Sequence, residues 1–319
     1  MIVSRLVRNN ADTVWAANEL DRRKFIYPKR LTPIKAVAVR GAMKPNRNSK
    51  IVFAFDSIVE KRAKDLMRLG KRPLSQFFRL YNSPLREAIV DLASKSCTVA
   101  DIGCGDGEYT CLVASQPNIM TVIGVDVSLI SIKLAKNRTS TSLSVKNKIE
   151  FVVGDAKALP VRHRVLDAAI SVGLLHHLSN FLVLDEINKV IKKDGWLLIH
   201  EVVSNNLLVS SAIRVLKLLP LRYRRCILDV GAGGEIPQVY EFTASSLRKE
   251  LQKRFVVRSE DREQLFVIFI WYLCMLFPNL GRLVRIPFLN SLYKIERWLI
   301  KRTVARELCR LVRFLCKQV

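Results

Sequence analysis

A short glycine-rich stretch constrains the fold of this chain more than any other feature of its sequence. Residues 99–107 read Val-Ala-Asp-Ile-Gly-Cys-Gly-Asp-Gly, so an apolar run ends in an acid and leads into alternating glycines. Glycine allows positive φ angles and lets a ligand approach the backbone closely. The stretch therefore predicts a buried strand that turns sharply into a helix, whose N-terminus offers N–H groups and partial positive charge. Many α/β proteins contain such a turn, so the stretch alone does not identify a ligand.

The middle of the chain alternates predicted strands with predicted helices. Strands are expected at 98–102, 121–126, 149–153, 166–172 and 196–202, and a further strand is expected later in the chain at 255–258. Helices are expected at 107–115, 128–137 and 181–191, with a polar loop at 138–148 and a turn at 192–195. A strand–helix–strand order at this spacing indicates a parallel sheet with helices on both faces. Ligands of such sheets bind at the carboxyl ends of the strands.

Four aspartates stand at the ends of the predicted strands. Asp101 lies on the first strand, Asp126 ends the second, Asp155 follows the third and Asp167 starts the fourth. An acid at the position of Asp126 can accept hydrogen bonds from ribose hydroxyls, and Asp155 could accept one from an adenine amino group. We interpret the four as one group at the carboxyl edge of the sheet. The alternative is that each is a turn residue, because aspartate favours strand ends.

Four segments together resemble a known family. Residues 99–107, 122–127, 151–160 and 167–178 are similar to the successive motifs of class I S-adenosylmethionine-dependent methyltransferases, in particular the ubiquinone/menaquinone-type branch. The resemblance covers about residues 55–260. A dinucleotide-binding fold is the structural alternative, but Asp101 and Asp106 would repel a pyrophosphate. A sulfonium with an amino-acid tail tolerates these acids.

The resemblance implies a fold, a cofactor and a set of site residues. The expected fold is a Rossmann-like α/β fold: a seven-stranded, mostly parallel sheet with helices on both faces, an antiparallel last strand at 311–316, and a helical cap. The implied cofactor is S-adenosyl-L-methionine, with its methionine portion on the glycine loop, its ribose on Asp126 and its adenine beside Val127 and Asp155. The implied cofactor-binding residues are Asp101, Gly103, Cys104, Gly105, Gly107, Asp126, Val127, Asp155, Ala156 and Val172, with Gly173 beside Val172.

Two adjacent histidines follow the fourth strand and are the candidate catalytic residues. Methyl transfer needs in-line positioning and a dry pocket, and it needs a general base only when the acceptor must lose a proton. His176 and His177 could supply that base. The alternative is that one of them packs or caps the turn and neither takes part in chemistry. Tyr240 and Glu241 are weaker candidates.

The positive charge is concentrated in the two flanks of the chain. The net charge is +25, with 12 Lys/Arg against 3 Asp/Glu in residues 1–50 and 21 against 9 in residues 202–319. Basic flanks suit a polyanion such as nucleic acid or an anionic membrane, although general solubility is an alternative explanation. We predict a basic extension at 1–50, a methyltransferase domain at 51–263 and a C-terminal cap with the closing strand at 264–319. Within the domain we expect helices between 51 and 94, a cofactor-binding core at 97–202 and a lid at 203–250.

Two classes of methyl acceptor are compatible with the flanks. The first is a small-molecule or lipid-type acceptor, reached at an anionic membrane surface, because the apolar run at 265–277 precedes a basic amphipathic stretch at 282–306. That run is shorter than a membrane-spanning helix. The second is RNA, because residues 170–178 also resemble tRNA wobble-uridine methyltransferases, but no RNA-binding module is recognisable. A non-catalytic protein that binds the cofactor is a third alternative.

The cysteines and the start of the chain bear on metal content and compartment. The seven cysteines form no CxxC pair, and the four histidines suggest no metal cluster. The first residues contain no apolar segment of signal-peptide length. We therefore expect a cytoplasmic protein with reduced thiols and no metal, with attachment to a membrane surface as an additional feature.

Overall fold

The computed structural model describes residues 81–139, 143–204, 240–265, 286–302 and 304–319. Some of the predictions fall on other parts of the chain. The basic extension at 1–50, the expected helices before residue 81, residues 205–239 of the lid predicted at 203–250, and the apolar run after Leu265 all lie outside the described residues.

The centre of the molecule is a seven-stranded sheet with the order β3-β2-β1-β4-β5-β7-β6. Strands β1 to β6 run parallel, while β7 lies between β5 and β6 and is antiparallel to both. This arrangement confirms the predicted fold class, including the antiparallel last strand. The strands are β1 Thr98–Ile102, β2 Thr121–Asp126, β3 Ile149–Val153, β4 Leu166–Val172, β5 Ile191–Val202, β6 Phe255–Glu263 and β7 Leu311–Gln318.

Helices cover both faces of this sheet, as a parallel sheet requires. One face packs against α5 and α6 in a core that includes Ile187 and Leu251, and the other packs against α1 and α2. In α1, Leu85, Ile89 and Leu92 recur at helical spacing and are buried. The helices are α1 Ser83–Ser94, α2 Glu108–Ala114, α3 Leu129–Thr139, α4 Leu143–Lys146, α5 Leu182–Val190, α6 Ala244–Gln252 and α7 Ile286–Arg302. None of the helices within the described ranges is long and apolar enough to span a membrane.

Side-chain hydrogen bonds cap the N-termini of α3 and α6. The Ser131 N–H donates to Oγ of Ser128 at 3.0 Å, which satisfies one of the free donors in the first turn of α3. At α6, the Ser246 N–H donates to Oγ1 of Thr243, and the Thr243 N–H donates to Oγ of Ser246. This reciprocal pair is a capping box.

Three segments differ from the sequence prediction. The short helix α4 occupies part of the predicted loop at 138–148. The predicted turn at 192–195 is a bulge of β5, because Leu166 pairs with Ile191 while Ala168 pairs with Trp196. Strand β6 continues to Glu263 instead of ending at 258. Its second half is charged, so its sequence does not read as a strand, but ion pairs with β7 hold it in the sheet.

The placement of Asp167 contradicts the prediction of four aspartates at one edge. Asp167 lies at the amino end of β4, where its Oδ2 accepts hydrogen bonds from the N–H groups of Cys97 and Thr98 at 3.0 and 2.8 Å. Its Oδ1 accepts one from Nζ of Lys192 at 2.6 Å. Asp167 therefore joins the starts of β1 and β4 on the edge opposite to Asp126.

Candidate functional site

The glycine loop between β1 and α2 lies at the point where the strand order reverses. Gly103, Gly105 and Gly107 all have φ between 53° and 76°, the left-handed region that favours glycine. A Cβ on Gly105 would have no heavy atom within 4 Å, so this residue faces an open space. A Cβ on Gly107 would lie 2.9 Å from Cβ of Ala135 and 3.1 Å from Phe151. Gly105 therefore leaves room for a ligand, whereas Gly107 lets α2 pack closely on α3 and β3.

Four N–H groups of this loop, those of Gly103, Cys104, Gly105 and Gly107, are already used inside the protein. Those of Gly103 and Cys104 donate to the Val125 carbonyl at 2.8 and 3.1 Å, and that of Gly107 donates to the Cys104 carbonyl. The Gly105 N–H donates to Oδ2 of Asp126 at 2.9 Å. Phosphate-binding loops need free N–H groups that point at the anion. The geometry of this loop therefore argues against a pyrophosphate and leaves carboxylates as its charged groups.

The predicted residue Cys104 contributes no side chain to the open space. Its side chain is buried with Ile132, Ala135 and Phe151. Burial raises the pKa of the Cys104 thiol well above its ordinary value, with smaller contributions from Asp101 and Asp126. Only the backbone of Cys104 can therefore take part in the site.

Asp101 is a buried acid beneath the glycine loop. It is 2% exposed, and its Oδ2 accepts a hydrogen bond from Oγ1 of Thr110 at 2.6 Å. Burial raises the pKa of Asp101 to about 7, the nearby charges of Asp126 and Asp106 add to the increase, and the Thr110 hydrogen bonds oppose it. Asp101 therefore changes charge near neutral pH, and a cation beside it would favour the carboxylate.

Asp126 is held at the carboxyl end of β2 by two backbone donors. Its Oδ2 accepts from Gly105, and its Oδ1 accepts from the N–H of Ser128 at 2.8 Å. The next residue, Val127, is 42% exposed although it is apolar. A fixed carboxylate beside an exposed apolar side chain is an arrangement that suits a ribose and a base.

Asp155 and Ala156 lie after β3, where the sequence predicts the adenine edge. Asp155 Oδ1 accepts from the N–H of Lys157 at 2.9 Å and starts a short 3₁₀ turn, while Oδ2 lies 3.8 Å from Nζ of Lys157. The Ala156 side chain packs in the main core. In this structure Asp155 caps a turn, which is the alternative role given above for an aspartate at a strand end. Its contact with adenine stays a prediction.

The structure adds Arg138, which the sequence did not indicate. Its Nη2 donates to the Asp106 carboxylate, and its Nε donates to the Asp106 carbonyl at 3.1 Å. Arg138 lies at the end of α3, so this double contact fastens the outer side of the glycine loop to that helix. No sequence pattern marks the pair, because 32 residues separate its members.

The segment after β4 carries both candidate histidines and packs against the glycine loop through Leu174. Val172 is half-buried, and the Gly173 N–H donates to the His200 carbonyl at 2.9 Å. A Cβ on Gly103 would lie 3.1 Å from Cδ1 of Leu174, so this segment packs against the loop. The ring centroids of His176 and His177 are 4.0 Å apart.

A buried glutamate, Glu201, organises this segment and was missed by the sequence analysis. Its Oε1 accepts from the N–H groups of Leu174 and Leu175 at 2.6 Å each, and its Oε2 lies 2.8 Å from Nδ1 of His176. Glu201 stands at the carboxyl end of β5, as Asp126 does on β2, and that position was the signal that could have found it. The Tyr240 N–H donates to the His176 carbonyl at 2.7 Å, so this weaker candidate also lies beside His176.

Within the described part of the chain, no group of three or more histidine, cysteine, aspartate or glutamate residues could hold a metal ion.

Known proteins share the central part of this chain. Residues 100–199 match a family model described as a methyltransferase domain. Over 120 residues the chain is 32% identical to a tRNA (carboxymethyluridine(34)-5-O)-methyltransferase of Arabidopsis thaliana, a match that covers 36% of this chain and 26% of that protein. Over 113 residues it is 28% identical to a ubiquinone/menaquinone biosynthesis C-methyltransferase of Campylobacter jejuni, which covers 34% of this chain and 45% of that protein. The chain thus spans less than half the length of both relatives.

A solved structure shares the fold over a longer part of the chain. Geranyl diphosphate C-methyltransferase from Streptomyces coelicolor aligns with a TM-score of 0.52 and 12% identity, covering 74% of this chain and 76% of that one. At this identity the likeness concerns the fold alone. The family match identifies residues 100–199 as a methyltransferase domain, and the fold shared with this structure extends beyond that domain.

Proposed function

We propose that this protein is an S-adenosylmethionine-dependent methyltransferase that acts on a small-molecule or lipid-type acceptor. The observation that carries the proposal is the chemistry of the glycine loop. Its N–H groups are used by Val125, Cys104 and Asp126, and the open space at Gly105 adjoins carboxylates instead of free donors. Such a site fits a cation with a ribose and disfavours a pyrophosphate.

The residues around the open space fit the parts of this cofactor. Oδ2 of Asp126 accepts from the Gly105 N–H and Oδ1 accepts from the Ser128 N–H, and this fixed carboxylate is the acceptor that we assign to the ribose hydroxyls. Val127 offers an exposed apolar side chain to the adenine, and Asp101 offers a buried acid to the positive charge of the amino-acid tail. Gly105 lets the cofactor approach the backbone.

The protein positions the reactants, excludes water from them and supplies a proton acceptor. When bound, the cofactor supplies a methyl group whose carbon–sulfur bond breaks, with the electron pair left on sulfur, as the acceptor bonds to the carbon. Leu174 packs against Gly103 of the glycine loop, and we assign to this apolar side chain the exclusion of water from the reacting atoms. His176 is our candidate base for an acceptor that must lose a proton, and His177 lies beside it.

The exposed face of α7 supports a lipid-type acceptor reached at an anionic surface. Phe288, Ile295 and Trp298 lie on this helix with exposed fractions of 56%, 50% and 52%. The exposed residues of α7 also include Lys294 and the last-turn cations Lys301 and Arg302. An apolar stripe with flanking cations is typical of helices that lie in a membrane interface.

Transfer to tRNA is the second candidate function, and a specific finding favours it. The Arabidopsis thaliana relative is a tRNA methyltransferase, and it is 32% identical to this chain over 120 residues. The exposed cations of α7 would suit phosphates as well as lipid head groups. The two candidates differ in the chemical fraction that receives the methyl group.

The cofactor assignment is tested by Asp126→Ala with S-adenosylhomocysteine as the probe. We expect the affinity of this variant in calorimetry to fall by about a hundredfold or more, because both the ribose contact and the anchor of Gly105 are lost. Asp91→Asn is the matched control, since Asp91 is exposed on α1, where its carboxylate accepts from Nζ of Lys95 and its carbonyl accepts from Oγ of Ser94. Equal affinity of Asp126→Ala and the control would contradict the ribose assignment.

The acceptor class is tested with methyl-labelled cofactor and a total cell extract. Incubation with the wild-type protein should transfer label to the organic-solvent fraction, which contains lipids. Label in the RNA fraction would support the second candidate and contradict the first. Tight binding without label in any fraction would support a non-catalytic binding protein and contradict both.

A further inference from the structure

The carboxylate of Glu201, on β5, holds the segment after β4 that carries His176. Its side chain is completely buried, and it accepts hydrogen bonds from two consecutive backbone N–H groups and contacts the His176 ring. Three partners on one buried carboxylate fix the backbone and a side chain of the same short segment. A buried charge without such partners would be costly.

The hydrogen bonds determine which nitrogen of His176 carries the proton. The Leu174 and Leu175 N–H groups can only donate, so Glu201 is the acceptor at Oε1. A carboxylate can only accept, so Oε2 of Glu201 accepts from Nδ1–H of His176 at 2.8 Å. In the neutral ring the hydrogen is therefore on Nδ1, and Nε2 carries the lone pair.

The same carboxylate sets the position of the ring relative to the cofactor loop. The Leu174 N–H is held by Glu201, and the Leu174 side chain covers Gly103, with Cδ1 3.1 Å from the place of a Cβ on that glycine. On the other side, Cε1 of His176 lies 3.7 Å from the corresponding place on Gly173. The His176 side chain is 15% exposed, so the imidazole is packed against the segment and still reached by solvent.

We propose that Glu201 is a positioning residue for methyl transfer, which makes Nε2 of His176 the atom that takes the acceptor's proton. The proposal rests on the methyltransferase function proposed above. As the acceptor bonds to the methyl carbon, its proton passes to Nε2, the imidazolium is stabilised by Glu201, and the proton then leaves to water. Glu201 also keeps the base at a constant distance from the glycine loop, because it holds Leu174 and His176 together.

The sharpest test is Glu201→Gln, which keeps the shape and reverses one hydrogen bond. The amide oxygen of glutamine can still accept from Leu174 and Leu175, but its amide nitrogen can only donate to Nδ1. The hydrogen of the neutral ring must then move to Nε2, which removes the proton acceptor. Nitrogen-15 NMR of histidine-labelled protein distinguishes the two tautomers, and the His176→Gln spectrum assigns the resonances.

We expect the Nδ1–H tautomer in the wild type and the Nε2–H tautomer in Glu201→Gln. The rate of label transfer should fall about a hundredfold, the usual contribution of a general base, while the affinity for S-adenosylhomocysteine stays unchanged. Combining Glu201→Gln with His176→Gln should cost no more than either change alone, because the two residues act as one unit. Glu150→Gln, which alters an exposed carboxylate on β3, is the control and should leave the rate and the His176 spectrum unchanged.

Two results would overturn the proposal. One is the Nε2–H tautomer in the wild type, a measurement that remains decisive even if Glu201→Gln does not fold. The other is an unchanged transfer rate in a folded Glu201→Gln protein that carries the reversed tautomer. A wild-type protein that fails to bind S-adenosylhomocysteine would instead contradict the proposed function, so the two failures are distinguishable.

Discussion

Asp101 links the charge of the candidate cofactor to the protonation of the protein. Its pKa of about 7 means that roughly half of the ligand-free molecules carry a proton on this acid at pH 7. A cation bound beside it favours the carboxylate, so binding should release about half a proton at this pH. Calorimetry of S-adenosylmethionine binding in two buffers of different ionisation enthalpy measures this release.

The change that removes the effect is Asp101→Asn. This variant should show no dependence of the binding enthalpy on the buffer, whereas Asp91→Asn should behave as the wild type does. Stability gives a second readout with a defined sign. Because the folded pKa is raised from 3.8, the contribution of Asp101 to the free energy of unfolding is full below pH 3.8 and is lost as the pH rises through about 7. A melting temperature of the ligand-free protein that responds to pH equally in Asp101→Asn would contradict the raised pKa.

The ring of His176 illustrates what the sequence reveals about single residues. Its place after the fourth strand was predictable, because a dipeptide of histidines directly follows an apolar strand. Its hydrogen-bond partner was not, because Glu201 is 25 positions away and reaches His176 only through the parallel pairing of β4 with β5. The contact of Arg138 with Asp106 was not predictable either, because these two residues are 32 positions apart in the sequence. Asp126, in contrast, contacts its own neighbours in the chain and in the glycine loop, and its position was correctly predicted.

At the scale of elements, the glycine loop contains glycines with two different roles, which the sequence does not distinguish. We expect Gly105→Ala to lower the affinity for S-adenosylhomocysteine at least tenfold, because the new methyl group enters the open space. Its cost in stability should be limited to about 1–2 kcal/mol from the positive φ. Gly107→Ala should cost more, about 2–4 kcal/mol, because its methyl group also meets Ala135 at 2.9 Å.

Thermal unfolding and calorimetry on the same two variants distinguish these effects. The expected pattern is a smaller stability loss with a large affinity loss for Gly105→Ala, and a larger stability loss for Gly107→Ala. The opposite pattern would mean that the ligand side of the loop has been assigned to the wrong glycine.

The strands themselves show where sequence patterns were sufficient. Strands β1 to β4 begin and end within about one residue of their predictions, because each consists mainly of apolar residues and is followed by glycine or polar residues. The end of β6 was missed because Asp261 and Glu263 are charged. Arg313 of β7 donates to both, at 3.1 and 2.6 Å, so these charges are satisfied within the sheet. Asp167 was misplaced for a related reason. The sequence of β4 does not show that the carboxylate at its start accepts hydrogen bonds from the start of β1.

At the scale of the whole molecule, the exposed face of α7 is where apolar and basic side chains meet. The one acid of this helix, Glu296, is fully buried and accepts a hydrogen bond from the Tyr81 hydroxyl at 2.8 Å, so it does not reduce the positive potential of the exposed face. The exposed cations and the exposed apolar side chains of α7 therefore form one surface, on a chain whose net charge is +25. We predict that the protein binds vesicles containing phosphatidylserine and that added salt weakens the binding.

A double change, Ile295→Ser with Trp298→Ser, isolates the apolar part of that interaction. Vesicle flotation should show about tenfold weaker binding, since partial burial of the two side chains is worth about 1.4 kcal/mol. Met120→Ser is the matched control, because Met120 is 63% exposed and precedes β2 at the other edge of the sheet. Equal binding to uncharged phosphatidylcholine vesicles would contradict the electrostatic part of the prediction. Loss of tRNA binding in a gel shift, with unchanged flotation of the double variant, would assign this face to RNA instead, because stacking of Trp298 on bases would then be the interaction that the change removes.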